Sequence, residues 1–420
     1  MHRTERILIR PSDTNYRAVA FLCRQAKTIF NCANYLARQS FFDGDLLPWN
    51  KIDINIRSGA FRNPAYSMIP NAMSQAIIRK MGIDWKSYFA SLRQWKKQPG
   101  LFKSKPRPPG YAKKSKTALM PFQSLSCING HIVLPKKTGI TPIRIKCCEN
   151  QPIQAKGDQQ TILEVRFVPH GSCFWLEVVY RMDSRTLNSK TAVLLDKKKH
   201  LSIDIGINNL ATIVSDQPGF APVLISGKAV KSINHLFNKD AAILRRKGHG
   251  ALLSAKSVKR SCWINDHFHK ASRFVIQLCL DNDIGTLVIG HNPGWKQSVN
   301  IGKVNNQKFV SIPHAKLINQ ISYKAAEYGI DVIVREESYT SQASALDGDQ
   351  VPQYDAGNNI KYRFSGRRVK RGLYKTQMGL LLNADVNGAL NILRKEIGDS
   401  FLKSVADEGL VFRPRRVTLT

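Results

Sequence analysis

Acidic residues are scarce in this chain of 420 residues: 30 Asp plus Glu stand against 64 Lys plus Arg, a formal net charge of +34. So large an imbalance points to a polyanionic partner, with counterion release driving affinity. Basic ribosomal or chromatin proteins share the charge, but they are usually shorter and less apolar. The 43% hydrophobic content here can fill a sizeable core and two or three domains. C-x-x-C pairs are absent. The eight cysteines (Cys23, Cys32, Cys127, Cys147, Cys148, Cys173, Cys262 and Cys279) give no zinc-ribbon signature, and none follows Cys279. They fall mostly on apolar faces and read as reduced core residues of a cytosolic protein. Long uncharged apolar runs are missing too, which excludes a hydropathic bilayer span. The opening Met-His-Arg-Thr-Glu-Arg lacks the apolar region of a signal peptide, so the expected location is the cytoplasm.

Against that scarcity, two acids sit inside apolar segments. Asp204 interrupts the run from Leu201 to Val214, and Asp385 interrupts Asn383-Ala-Asp-Val-Asn-Gly-Ala-Leu-Asn-Ile392. A buried acid needs a partner, commonly a cation or a metal. Metal-binding carboxylates in a basic protein suggest phosphate chemistry on nucleic acid.

The first half begins with a short strand at Arg6–Arg10, then a helix from Asp13 with Val19, Leu22, Ala26, Ile29, Phe30, Ala33 and Leu36 at helical spacing. A second helix is expected over Asn71–Lys97, weakened at Gly82. Residues 103–116 are proline-stiffened and basic. They read as a solvated linker or as a backbone-tracking contact made by Lys103, Lys105, Arg107, Lys113 and Lys114. Residues 117–182 read as strands, with hairpin signals at Asn129-Gly130 and His170-Gly171. With the first strand they are expected to close a small barrel. Residues 183–199 read as a linker. The second half then gives three strands, a polar helix over 229–260, a more apolar one over 263–280, a strand at 285–290, a helix at 312–328, a strand at 330–334, an insertion, and a last helix at 380–394. That order matches an α/β sheet covered by helices.

An acid at the centre of the first strand and another on the last helix follow the RNase H-like plan. Asp204-Ile-Gly-Ile-Asn-Asn-Leu-Ala-Thr-Ile213 resembles the first RuvC motif of the TnpB family, Asn383–Ile392 its third, and Tyr339-Thr-Ser-Gln342 the segment leading into that family's zinc ribbon. Compact type V CRISPR effectors share this nuclease half. The resemblance spans nearly the whole chain. It implies an α/β RuvC-like nuclease domain (200–342 and 377–420) beside a wedge β-barrel (1–12 and 117–182) carrying a helical recognition insertion (13–116). It also implies a guide RNA, a double-stranded DNA target with a short flanking motif, and two Mg2+ ions held by converging carboxylates in a prokaryotic cell. Asp204 is the expected bridging ligand, and Asp385 closes the site. Asn383 and Asn387 read equally as ligand helpers, helix caps or surface amides.

Two departures follow. The family's third acid is expected at the end of the fourth strand, where this chain reads Leu287-Val-Ile-Gly290-His-Asn292. Glycine cannot bind a metal. Glu336 and Glu337 end the next strand, and strands lie roughly 5 Å apart, so a glutamate can reach across the vacated position. Only one of two consecutive side chains can face the metals. Glu337 is favoured, with Glu336 as the alternative, and surface pairing with Arg335 or Lys is the bland reading of both. If neither serves, the chain is a nuclease-inactive, RNA-guided DNA-binding repressor. The second departure is the ribbon: residues 343–376 hold no cysteine, so no zinc is expected. They offer instead the basic, aromatic-interleaved run Lys361–Arg371, with Arg363, Arg367, Arg368, Lys370 and Arg371 as candidate contacts to a strand entering the site, joined by Lys296. A transposase acting in its own right is a weaker third reading.

Overall fold

The computed structural model describes residues 2–148, 162–181, 194–292, 311–353, 362–370 and 372–419. The chain divides into two compact units, Met1–Ser184 and Arg185–Thr420.

In the first unit, β1 (His2–Ile9) leads into four helices: α1 (Tyr16–Phe42), α2 (Trp49–Arg57), α3 (Pro64–Met68) and α4 (Asn71–Lys97). α1 buries Val19, Leu22, Cys23, Ala26, Ile29, Phe30 and Ala33, a stripe at helical spacing. α4 buries Met73, Ile77, Ile78, Met81 and Trp85 against it. Gly82 has a packing role here, because a Cβ at that position would lie 3.1 Å from Cβ of Trp49 on α2. The expected barrel is, among the described residues, two separate antiparallel sheets. β1 pairs with β7 (Cys173–Arg181), which pairs with β6 (Ile162–His170), which pairs with β2 (Ala118–Pro121). β3 (Ser126–Ile128), β4 (His131–Val133) and β5 (Ile143–Arg144) form the other. Both hairpin signals mark turns, with Asn129, Gly130 and Gly171 at positive φ.

The second unit is built on a six-stranded sheet in the order β12-β11-β8-β9-β10-β16. β8 (Asp196–Asp204), β9 (Asn209–Ser215) and β10 (Val223–Ser226) run antiparallel; β11 (Ile284–Gly290) and β12 (Asp331–Arg335) run parallel to β8. β16 (Arg415–Val417) adds an edge parallel to β10. The first five strands have the RNase H-like order. β9, β10 and β11 are buried at every residue, as a sheet covered on both faces requires. β8 starts at Asp196, inside the stretch read as linker.

Period two on β8 sends Leu201 and Ile203 into one core and Ser202 and Asp204 toward the other face. The first core is covered by α6 (Gly250–Asp281) and α7 (His314–Glu327). The other is covered by α8 (Ala384–Ile397), which follows the short β15 (Leu381–Asn383), and by α9 (Leu402–Asp407). The boundary expected near residue 261 falls earlier: α5 (Lys228–Arg246) ends before Gly248, whose φ of +72° breaks the helix, and α6 runs unbroken through Arg260.

Candidate active site

Asp204 is the last residue of β8, and Ser202 beside it donates its hydroxyl to the carbonyl of Ala389 at 2.7 Å. That bond seats α8 directly on β8. A Cβ on Gly388 would lie 2.9 Å from Asp204 Oδ2, so glycine permits the approach. Asp385 lies one turn earlier on the same helix. Asn383 caps α8, accepting from the backbone N–H of Asp385 at 2.9 Å and of Val386 at 3.3 Å. Asp385 Oδ2 accepts from Asn209 Nδ2 at 2.7 Å, and Oδ1 lies 4.0 Å from Arg368.

Glu337 follows the end of β12. Its backbone N–H donates to Asn292 Oδ1 at 3.0 Å, which ties it to the end of β11. The carboxylate lies over Gly290: Oε2 would be 2.8 Å from a Cβ built there. Oε1 is buried and has no hydrogen-bond partner among the described residues. Glu336 points elsewhere. Its Oε2 accepts from Lys395 Nζ at 2.8 Å and its Oε1 from the Ser338 N–H at 2.7 Å. Burial opposes ionisation of Glu336, but the Lys395 and Ser338 bonds prevail and hold its carboxyl below the usual range.

The other two behave oppositely. Burial, reinforced by the charge of Asp385 and eased by Arg368, pushes the Asp204 carboxyl up to about 7. Burial, reinforced by Asp204 and Glu336 and eased by Lys395, pushes Glu337 up to about 8. Asp204 therefore interacts with both other acids. Among the described residues no three His, Cys, Asp or Glu side chains stand close enough together to hold one metal ion. The donor chemistry still fits a hard divalent cation: two mutually repelling carboxylates with raised pKa values and one buried, unpartnered oxygen.

These motifs have counterparts. Residues 183–296 match the family described as probable transposase (OrfB of IS605), and residues 314–392 match the Cas12f1-like TNB domain. A TnpB-like protein of Acidianus two-tailed virus is 24% identical over 94% of this chain and 87% of its own length. The chain is similar to a TnpB-like protein along most of its length. The CRISPR-associated endodeoxyribonuclease Cas12f1 of Sulfoacidibacillus thermotolerans is 24% identical over 55% of this chain and 52% of its own length. A solved Cas12f1–guide RNA–target DNA complex is 15% identical at a TM-score of 0.35, over 93% of this chain and 98% of that one, a superposition too loose for comparing elements.

Within the TNB match, the later part of the basic run is strand, while 362–366 have no regular structure. β13 (Arg367–Lys370) pairs with β14 (Leu373–Lys375), which pairs with β15. Arg367, Arg368 and Lys370 are exposed on β13, with Arg368 turned to Asp385. Arg363 is exposed beside Phe364, and Tyr339 (φ +62°) packs edge-on to Tyr362 at 5.1 Å. Carboxylates latch this segment, where the resemblance implied a ribbon. Asp349 accepts from the backbone N–H of Ser344 at 2.8 Å and of Ser365 at 3.0 Å. Asp347 accepts from both serine hydroxyls, at 2.6 and 3.2 Å, and from the Gln377 N–H at 2.7 Å. Lys296 and Arg371 lie outside the described residues. In the first unit Lys103, Lys105, Arg107, Lys113 and Lys114 are all exposed.

The roles of several residues around the site are hard to read from sequence. Asn209, whose amide holds Asp385, lies in the quoted first motif, so its place in that motif is the available signal. Asn387 is neither a ligand helper nor a surface amide. It is fully buried, donating to Ala343 O at 2.7 Å and accepting from Ala345 N at 3.0 Å, and Asn391 donates to the Thr340 and Ala343 carbonyls. The ligand-like spacing of Asp266, His267 and His269 is not assembled into a site: His267 is buried and stacked on Trp263, and Asp266 pairs with Lys270.

Proposed function

We propose that this chain is an RNA-guided DNA endonuclease of the TnpB and compact type V kind, with Asp204, Glu337 and Asp385 as its carboxylates. The observation that carries this reading is the Glu337 carboxylate lying over Gly290 with a buried, unpartnered oxygen. Hydrogen bonds satisfy Glu336, whereas no group among the described residues satisfies Glu337 Oε1. Asp204, Glu337 and Asp385 would hold two Mg2+ ions, which when bound supply an activated water and neutralise the leaving oxygen. The chain's own residues set the geometry. Asn209 and the Asn383 cap fix Asp385 on the first turn of α8, and Ser202 and Gly388 bring that helix down onto Asp204. Arg368 presents a guanidinium where a phosphate oxygen would lie. Guide pairing supplies sequence specificity, and the exposed cations on β13 and on residues 103–114 take phosphates. The relatives named as an endodeoxyribonuclease and a TnpB-like protein support the same class.

A nuclease-inactive, RNA-guided repressor is the second reading, favoured by Gly290 at the expected position of the third acid. One experiment separates them: cleavage of plasmid DNA by the protein with its co-purified RNA and Mg2+, comparing the parent with Asp204→Ala, Glu337→Ala and Glu336→Ala. The nuclease reading expects a cutting parent, an active Glu336→Ala variant and two dead variants that still bind RNA. A parent that binds target but never nicks it makes the chain a repressor, and full cleavage by Asp204→Ala overturns the site.

A further inference from the structure

The last turns of α1 carry Arg38 and Phe42, one helical turn apart, and the basic segment 103–116 runs against that helix. Its backbone is fixed to α1 at several points. Asn31 donates to Ala112 O at 3.0 Å and accepts from Ala112 N at 2.7 Å. Asn34 Nδ2 and Arg38 Nη1 both donate to Pro109 O at 3.0 Å, and Lys116 N donates to Cys23 O at 3.1 Å. Residues 109–116 are thus a strap of set course and not a free linker.

Side chains on the strap and on the facing end of α1 keep surface that packing does not use, although Phe42 meets Phe41 with ring centres 5.4 Å apart. The Arg38 guanidinium lies 5.4 Å from the Phe42 ring centre and 5.7 Å from that of Tyr111, so it joins the two rings. Yet Phe42 is 63% exposed and Tyr111 50%. A ring buried for stability would have given up that surface. Lys103, Lys105, Arg107, Lys113 and Lys114 are exposed on the same segment, and among the described residues none is paired with an acid. Lys105 lies 5.7 Å from the Trp95 ring. Exposed aromatic rings and a guanidinium, set among unpaired cations on a pre-shaped backbone, match the chemistry of a strand with free base faces: bases stack on the planes and phosphates meet the ammonium groups.

We propose that Phe42, Arg38 and Tyr111 form a stacking platform for unpaired bases of a nucleic-acid strand, whose phosphates are held by the cations of residues 103–114. A fully paired duplex hides its base faces, so the platform selects single strands or the unpaired end of a duplex. None of the carboxylates of the second unit takes part, and the test needs neither a guide nor a metal.

The test uses the full chain in EDTA and strands of roughly ten nucleotides carrying one 2-aminopurine, within the span one such surface covers. Single-stranded DNA, single-stranded RNA and a blunt duplex form the three arms. Binding of a single strand should change the 2-aminopurine fluorescence and exceed binding of the duplex, and the strand type giving the stronger signal identifies the source. Phe42→Ala with Tyr111→Ala should weaken single-strand binding roughly ten-fold and remove the fluorescence change. Phe42→Tyr with Tyr111→Phe should retain both. Lys113→Ala with Lys114→Ala should weaken binding and flatten its salt dependence while keeping the fluorescence change. Both rings are exposed, so circular dichroism should show all variants folded. Binding by the double alanine variant within two-fold of the parent, with the same fluorescence change, overturns the proposal, as does equal affinity of the parent for the blunt duplex.

Discussion

Replacing Glu337 by Gln removes one negative charge from a carboxyl group whose Oε1 is buried without a partner. Burial first, then the charges of Asp204 and Glu336, raises that group from 4.5 to about 8. A native protein that keeps a proton which the unfolded chain releases becomes less stable as pH rises between those two values. The contribution is complete below pH 4.5 and is lost by about pH 8. A ten-fold change in proton affinity corresponds to about 1.4 kcal/mol, so the full window sets a ceiling of about 5 kcal/mol. Glutamine keeps an amide to desolvate and gains no partner, which leaves about 2 kcal/mol as the expected gain. The assay is urea unfolding of the second unit in metal-free, full-length protein at pH 5, 7 and 9. The variant should match the parent at pH 5 and exceed it by about 2 kcal/mol at pH 9. Mg2+ should stabilise the parent more than the variant, because a ligand adds stability only to the state that binds it. A variant destabilised at pH 9, or a difference that does not change with pH, refutes the account of Glu337 as a strained, charge-coupled acid.

Gly388→Ala places a methyl 2.9 Å from Asp204 Oδ2 while improving helix propensity, so the melting temperature should hold or rise slightly as cleavage falls at least roughly ten-fold. A variant that cuts like the parent would show slack in the seat of Asp204. Asp347→Ala with Asp349→Ala removes the acceptors for the Ser344, Ser365 and Gln377 amides, and should cost about 2 kcal/mol locally. Hydrogen exchange should quicken at those amides and not in β9, and a zinc chelator should leave the parent's exchange unchanged. Asn209→Ala frees Asp385 from its 2.7 Å amide contact and should lower cleavage while sparing RNA binding.

What the sequence discloses follows from which residues have a local signature. α4 is legible from Asn71 to Lys97 because its apolar stripe is unbroken, and the β6–β7 turn because Gly171 sits between two β-branched and aromatic runs. Asp204 and Asp385 stand out because each interrupts an apolar run within a motif of the RNase H-like plan, whereas Glu164, Glu177 and Asp331 enter apolar strands without one. The α5–α6 boundary lies well before the point the pattern indicates because the first turns of α6 do not enter the core: Leu252 is exposed and the first buried residue is Val258, so the apolar period begins late. Asn209, Asn387, Asn391, Asp347 and Asp349 are not legible as site or latch residues. Each is a small polar side chain with a partner 5 to 176 residues away, and nothing in the local pattern separates such a residue from a solvated one.

The position proposed for the third acid, Glu337, is shaped by packing as much as by chemistry. A Cβ on Gly290 would meet Cδ1 of Ile392 at 2.4 Å and Cγ1 at 3.0 Å, besides Glu337 Oε2 at 2.8 Å. Ile392 is fully buried on α8, the helix that carries Asp385, so it cannot yield without moving that helix. Gly290, Ile392 and Glu337 are therefore one solution to one volume: glycine on β11 makes room for the isoleucine and for the carboxylate arriving from beyond β12. Returning the acid to β11 should then fail on steric grounds. Gly290→Ala alone should destabilise the second unit by about 1–3 kcal/mol, the usual range for overpacking a core. Gly290→Glu with Glu337→Ala should be inactive in DNA cleavage even though the number of carboxylates is unchanged. Adding Ile392→Ala opens the space, at a stability loss of about 2–4 kcal/mol, and should restore part of the cleavage. Parent-like cleavage by the double variant with Ile392 intact would show that the volume is not shared, and Glu337 would lose its structural reason for lying where it does.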